Sequence, residues 1–198
     1  MKKNTGAVLC AAGTALLALS ALVPASAAPP EKTDTTWLMG EVAHVGALDG
    51  FAGNAHLISF FARTTGSGDA TVVNFDCPAG EIPSWEPDSG CETLGAVGMY
   101  GDALEVHIDK QLANGSVSGA VRVYLGETEN GESIWGETYQ LEAVMAGTGD
   151  AVVTREHQDG FRHWSKDRPA SATSGHLGEM DLAGAVGNLG HLKESFKY

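Results

Sequence analysis

Asn114-Gly-Ser-Val-Ser-Gly-Ala-Val-Arg-Val-Tyr-Leu125 is the stretch whose reading decides the fold. Val117, Gly119, Val121, Val123 and Leu125 fall on one face of an extended chain, with Ser118, Arg122 and Tyr124 on the other. A period of two over this length is the mark of a half-buried strand. Asn114-Gly115 just before it is a type I′ hairpin signal, because both central residues of that turn need positive φ. On the other side of the turn, Leu104, Val106 and Ile108 alternate with Glu105, His107 and Asp109, which supplies the partner strand.

Outward from this hairpin the texture persists. A second turn is expected at Asn130-Gly131, returning through Trp135 to Met145. Further strands are expected at 40–48, 55–63, 71–76, 94–100 and 151–157, with one or two more in 177–197. Gly, Asn or Asp cuts these apolar and β-branched runs every few residues, the pattern of an all-β chain. The nearest approach to a helical period, Ala183 to Leu192, lies in a stretch with glycines at 178, 184, 187 and 190, which makes it a poor helix. The expected fold is a single-domain, all-β antiparallel sandwich or barrel of about 8–10 strands.

An internal echo qualifies that expectation. Gly66-Ser-Gly-Asp-Ala-Thr-Val-Val73 resembles Gly147-Thr-Gly-Asp-Ala-Val-Val153, and Gly95-Ala-Val-Gly recurs as Gly184-Ala-Val-Gly. The order is the same in both halves, the spacing eight residues longer in the second. A pseudo-twofold duplication of one unit would account for it. So would chance convergence of glycine-rich turns.

The N-terminal segment reads as an export signal. Lys2 and Lys3 precede an uncharged apolar run to Val23, then Ala25-Ser26-Ala27 supplies the small residues that a signal peptidase requires. Residues 1–27 are expected to be removed by the general secretory route, leaving a polar, proline-stiffened leader at 28–36 and an all-β secreted domain at 37–198. No membrane span is expected after cleavage. The lysine pair and alanine-rich run are bacterial in style, so Asn114-Gly115-Ser116 reads as a turn rather than a glycosylation sequon.

Charge narrows the partners. The chain carries 12 Lys+Arg against 25 Asp+Glu, a net charge of −13. Loss of Lys2 and Lys3 with the signal deepens it to −15. Phosphate polymers and anionic lipid need a basic surface, so neither nucleic acid nor a membrane surface is an expected partner. A strongly negative protein is expected to be soluble and monomeric. Once Cys10 leaves with the signal, Cys77 and Cys91 remain and are expected to form one disulfide around a short loop. Asp88-Ser89-Gly90 reads as the turn that brings Cys91 back to Cys77.

Against this acidic background one segment stands out. Arg155-Glu-His-Gln-Asp-Gly-Phe-Arg-His-Trp-Ser-Lys-Asp-Arg168 holds four bases, two histidines and two aromatics. Arg155, His157, Arg162, His163 and Trp164 are the candidate binding residues. Arginine presents forked donors to an anion, and an indole offers a stacking face. The competing expectation is a polar loop, broken at Gly160, whose bases pair with Glu156, Asp159 and Asp167. The eight extra residues of the second half fall here, where an insertion on a regular scaffold can carry function.

No catalytic residue is assigned. The seven histidines (His44, His56, His107, His157, His163, His176 and His191) show none of the spacings that put two imidazoles on one face, so no metal and no cofactor are expected. The expected function is that of a secreted, non-enzymatic binding or surface domain whose ligand is a carbohydrate, a protein or a small anion. One alternative is a secreted hydrolase with a site assembled from scattered His, Asp and Glu. Another is a lipocalin-like carrier, which the strand count fits, although the first strand lacks Gly-x-Trp.

Overall fold

The computed structural model describes residues 31–84 and 90–196. The signal segment and the Asp88-Ser89 turn lie outside them. The chain is all-β and forms one antiparallel sheet of eleven strands. In order these are β1 (Glu31–Val45), β2 (Ala55–Arg63), β3 (Gly68–Asp76), β4 (Glu92–Gly101), β5 (Glu105–Ile108), β6 (Asn114–Glu127), β7 (Ser133–Gly147), β8 (Val152–Gln158), β9 (Phe161–Leu177), β10 (Met180–Asp181) and β11 (Val186–Phe196).

The sheet rolls up because β7 pairs with both β6 and β9. Eight strands then make a ring: β1, β2, β3, β4, β6, β7, β9, β11 and back to β1. The closure is uneven. β4 and β6 are joined only at Met99 with Val123 and Tyr100 with Arg122. Over that seam, on the outside, Tyr100, Tyr124 and Trp135 pack edge to face, and the Arg122 guanidinium lies 4.6 Å from the Trp135 ring centre. Each half of the chain supplies a four-strand meander, β1–β4 and then β6, β7, β9 and β11. The first glycine echo runs into the third strand of the first meander at 66–73, whereas its counterpart at 147–153 runs from the end of β7 into β8, an additional arm between the second and third strands of the second meander. The other echo lies in β4 and at the head of β11, the fourth strands.

Alternation fills the ring. Leu38, Ile58, Phe60, Val72, Met99, Val121, Leu141, Met145 and Leu189 point inward and are fully or almost fully buried. At one end Leu104 and Leu112 plug the interior. At the other, residues 46–54 fold across the opening, and Phe51 lies against His56 and Tyr139 at ring separations of 6.2 and 5.9 Å. A second cluster forms on the outside of β2 and β3, where Leu57, Val73 and Phe75 are covered by the Cys77–Cys91 disulfide. Asn54 anchors that loop twice. Its amide N–H donates to the Cys77 carbonyl at 2.9 Å, and its amide oxygen accepts from the Cys77 N–H at 2.8 Å.

Four expectations are corrected here. Asn114-Gly115 is not the turn, since both residues already pair within the β5–β6 ladder or its first step. The turn is 109–113, with Leu112 left-handed at φ 57° and the Asp109 carboxylate accepting from the N–H groups of Ala113 and Asn114. Gly115 is required for space instead, because a Cβ there would sit 2.7 Å from Leu189 Cδ2. Leu125 does not share the inner face of Val121. Register shifts between Arg122 and Gly126 turn it outward, where it is 62% exposed. Of the expected leader, residues 31–36 are the first part of β1, paired with 191–196 of β11. Finally, 161–168 is no loop; Gly160 (φ 80°) makes the β8–β9 turn, and β9 runs on for 17 residues.

Candidate functional site

β9 is longer than the barrel wall. Its second half, 170–177, pairs with β7 inside the ring, whereas its first half, 161–167, pairs with β8. Pro169 sits at the hand-over between these two edge partners, a position where a missing N–H breaks no ladder bond on that side. The first half of β9 thus leaves the barrel together with the start of β1 and the end of β11. These three strands and β8 form a four-stranded apron in the order β1, β11, β9, β8.

Register sorts the apron's side chains onto two faces. Lys32, Ser195, Arg162 and His157 stand opposite one another in one row. Asp34, Lys193, Trp164 and Arg155 form the next row on the same face, which continues the interior face of the barrel at Leu38 and Leu189. Directly opposed residues of antiparallel strands share a face, and side chains alternate along each strand. Together these rows shape a trough of about 400 Å³. The reverse face carries Glu156, His163, Glu194 and the rings of Phe161 and Phe196, tilted at 36° with centres 4.9 Å apart.

Of the five candidate residues, Arg155, His157, Arg162 and Trp164 therefore meet in one trough. His163 also borders the trough, but register sets its side chain toward the alternate face, where Nδ1 lies 3.2 Å from Glu194 Oε1. Three participants were not singled out from the sequence, Lys32, Asp34 and Lys193. They lie more than a hundred residues from the motif or beyond its end, and only the strand register brings them to it.

The pairing expected within 155–168 does not form. Glu156 lies on the opposite face from Arg155 and Arg162, and neither arginine makes an ion pair among the described residues. Arg168 donates instead to the Gly149 carbonyl at 2.8 Å, and Lys166 to the Lys110 carbonyl at 3.2 Å. Asp34 is the acidic residue that register directs to this face; Glu156 and Glu194 also border the trough, from positions whose side chains alternate to the reverse face. The Asp34 carboxylate is engaged by the Lys193 ammonium at 3.2 Å and by His191 Nε2. Desolvation is the largest single influence on it and pushes its pKa up, but the hydrogen bonds and charges of Lys193 and His191 together outweigh that and hold it below the ordinary value. Trp164 is half-buried, braced by the His191 ring at 5.4 Å and 79°. Its lateral neighbours are Lys193 and Arg155, and Arg162 precedes it by two on the same strand.

Elsewhere the titratable groups do not assemble. His44 and His56 face each other across β1 and β2 at 6.0 Å between rings, inside the barrel mouth. Asp69, raised by burial against the opposing pull of Arg63, sits toward the far end of the β2–β3 hairpin from His56. Among the described residues no group of three or more His, Cys, Asp and Glu is placed to hold a metal ion. No family model, curated protein or solved structure matches the chain. The apron on an eight-stranded ring is thus what defines its class.

Proposed function

We propose that this protein is an exported, non-enzymatic binding module that takes an anionic ligand in the apron trough. One observation carries the reading: Lys32, Arg155 and Arg162 share one concave face around a half-buried indole, and among the described residues none of the three makes an ion pair, in a chain of net charge −13. An unpaired arginine cluster in so acidic a protein concentrates positive potential at one place, and guanidinium forks suit carboxylate, sulfate or phosphate oxygens. The lysine-led N-terminal segment and the disulfide are both in keeping with an oxidising, extracytoplasmic setting.

The other readings draw less support. A carrier needs an empty barrel, and this interior is filled by Phe60, Met99, Leu141 and their neighbours. A hydrolase needs an acid, a base or a nucleophile converging in a cleft, whereas the perturbed groups His56 and Asp69 lie apart.

The test is binding of oligogalacturonate, polyglutamate and inorganic polyphosphate by calorimetry, with wild type and with Arg162→Ala combined with Trp164→Ala. At least one of these anions should bind wild type, weaken as salt is raised, and lose affinity in the double variant at unchanged melting temperature. Failure of all three to bind, or equal binding by the variant, overturns the proposal.

A further inference from the structure

We infer that the ligand of the trough is an acidic saccharide chain, a sugar polymer bearing carboxylate or sulfate groups; this rests on the anion-binding reading above. Three features of the trough choose among anions.

The first is the indole at its centre. Trp164 stands between Lys193 and Arg155 in one row and next to Arg162 in the other. Neighbouring strands lie about 4.8 Å apart, and alternate residues of one strand about 6.8 Å apart. Charged groups are therefore set around the indole within one sugar ring's reach. A pyranose stacked on the indole places its exocyclic carboxylate or sulfate against Arg155 or Arg162. A flexible polyanion without rings, such as polyphosphate or an acidic peptide, gains nothing from Trp164.

The second feature is Asp34. A site selecting bare anions would exclude a carboxylate, yet Asp34 lies in the trough beside Lys193 and His191. Its oxygens can accept hydrogen bonds from hydroxyl groups, which acidic sugars have and polyphosphate lacks. A trough that combines acceptor, cations and indole matches a ligand bearing hydroxyls, charge and an apolar ring face together.

The third is shape. The trough is an open surface across four strands, about 14 Å wide from β1 to β8 at the usual strand spacing. Its lining residues all lie on the four strands, which suits a chain passing across it rather than a single small molecule sealed inside. The acidic remainder of the protein, with 25 Asp+Glu, works against a densely and uniformly charged polymer such as nucleic acid. A saccharide with one charge per ring or fewer meets less of that repulsion.

The experiment compares oligogalacturonate, its methyl ester, chondroitin sulfate, polyglutamate, polyphosphate and adenosine monophosphate, each titrated into wild type, Trp164→Ala, Arg155→Ala/Arg162→Ala and Asp34→Asn. Oligogalacturonate or chondroitin sulfate should bind at least about tenfold tighter than polyglutamate or polyphosphate, and the methyl ester should lose about tenfold or more. Trp164→Ala should weaken the acidic sugars about tenfold while leaving any residual polyglutamate binding within about twofold. Asp34→Asn should weaken the sugars but strengthen polyphosphate. Tight binding of polyphosphate or polyglutamate with no sugar preference overturns this inference and leaves the anion site standing. Preference for the nucleotide assigns the indole to a base and overturns it too. Absence of binding by every anion overturns both readings. Melting curves of the three variants separate loss of site from loss of fold.

Discussion

His56 Nδ1 and Asn74 Oδ1 meet 3.1 Å apart inside the barrel, with the His56 ring fully buried. The other ring nitrogen, Nε2, has no hydrogen bond of good geometry. Burial is the main force on this imidazole and pushes its pKa below the ordinary 6.5, the facing His44 adds to that, and the Asn74 oxygen and the Gly46 backbone oppose it. A buried cation without a carboxylate partner is costly, so the folded protein keeps His56 neutral.

The consequence is a stability that depends on pH. Because the folded pKa lies below the unfolded one, the unfolded chain takes up a proton first as pH falls below about 6.5. This contribution is fully present above that pH and is lost progressively as the medium acidifies toward the folded pKa. Between pH 7.5 and 5.5 urea midpoints should fall for wild type and fall less for His56→Gln, which keeps a donor for Asn74. Parallel pH slopes in the two proteins would show that His56 is not the titrating group.

Glycines in the wall should be tolerant or intolerant according to what lies over them. A Cβ on Gly187 would come within 1.9 Å of the Met39 carbonyl oxygen, a backbone atom that cannot step aside, whereas one on Gly98 meets nothing nearer than 3.9 Å. Gly187→Ala should therefore cost about 3 kcal/mol or more, at or above the upper end of overpacking penalties. Gly98→Ala should be close to neutral. Thermal melts of the two variants decide it, and equal losses would contradict the β1–β11 register.

The Cys77–Cys91 link closes a short loop over Leu57, Val73 and Phe75. Replacing both cysteines by serine should lower stability by about 3 kcal/mol in chain-entropy terms. Reductant should then change the urea midpoint of wild type and leave that of the double variant where it is.

Asp109 holds the β5–β6 turn with bonds from the Ala113 and Asn114 N–H groups at 2.9 and 2.8 Å. Those bonds depress its pKa, the Ala113 bond most, so the stabilisation is present above the ordinary carboxyl value of 3.8 and fades as pH drops through the folded pKa. Asp109→Ala should cost about 1 kcal/mol at neutral pH, given that the side chain is only partly buried. The difference from wild type should shrink in acid, and a difference that persists at pH 2 would mean the turn depends on packing of Leu112 alone.

Strands with one wet and one dry face were legible. The alternation in 116–123 and in 104–108 matches β6 and β5, the apolar run 55–63 matches β2, which is buried on both faces, and the Asn130-Gly131 turn stands with Gly131 at φ 79°. β9 was not legible over 161–168, because the apron has solvent on both faces and no core demands a period of two there. Asn114-Gly115 misled because Asp109 supplies a local set of acceptors that competes with a two-residue turn, and burial of Leu112 sustains its left-handed backbone.

By itself the sequence determined the all-β class, the position of most strands, the Cys77–Cys91 pair and the unusual cationic stretch, since local composition and alternation suffice for these. Tertiary structure alone decided three things: that β7 closes the sheet onto β9, that Arg162 and Trp164 face Lys32, Asp34 and Lys193 from the other end of the chain, and that His163 faces away from them. Strand register is the physical reason. A shift of one residue exchanges the two faces of a strand, and nothing in the order of the residues states which partner sets that register.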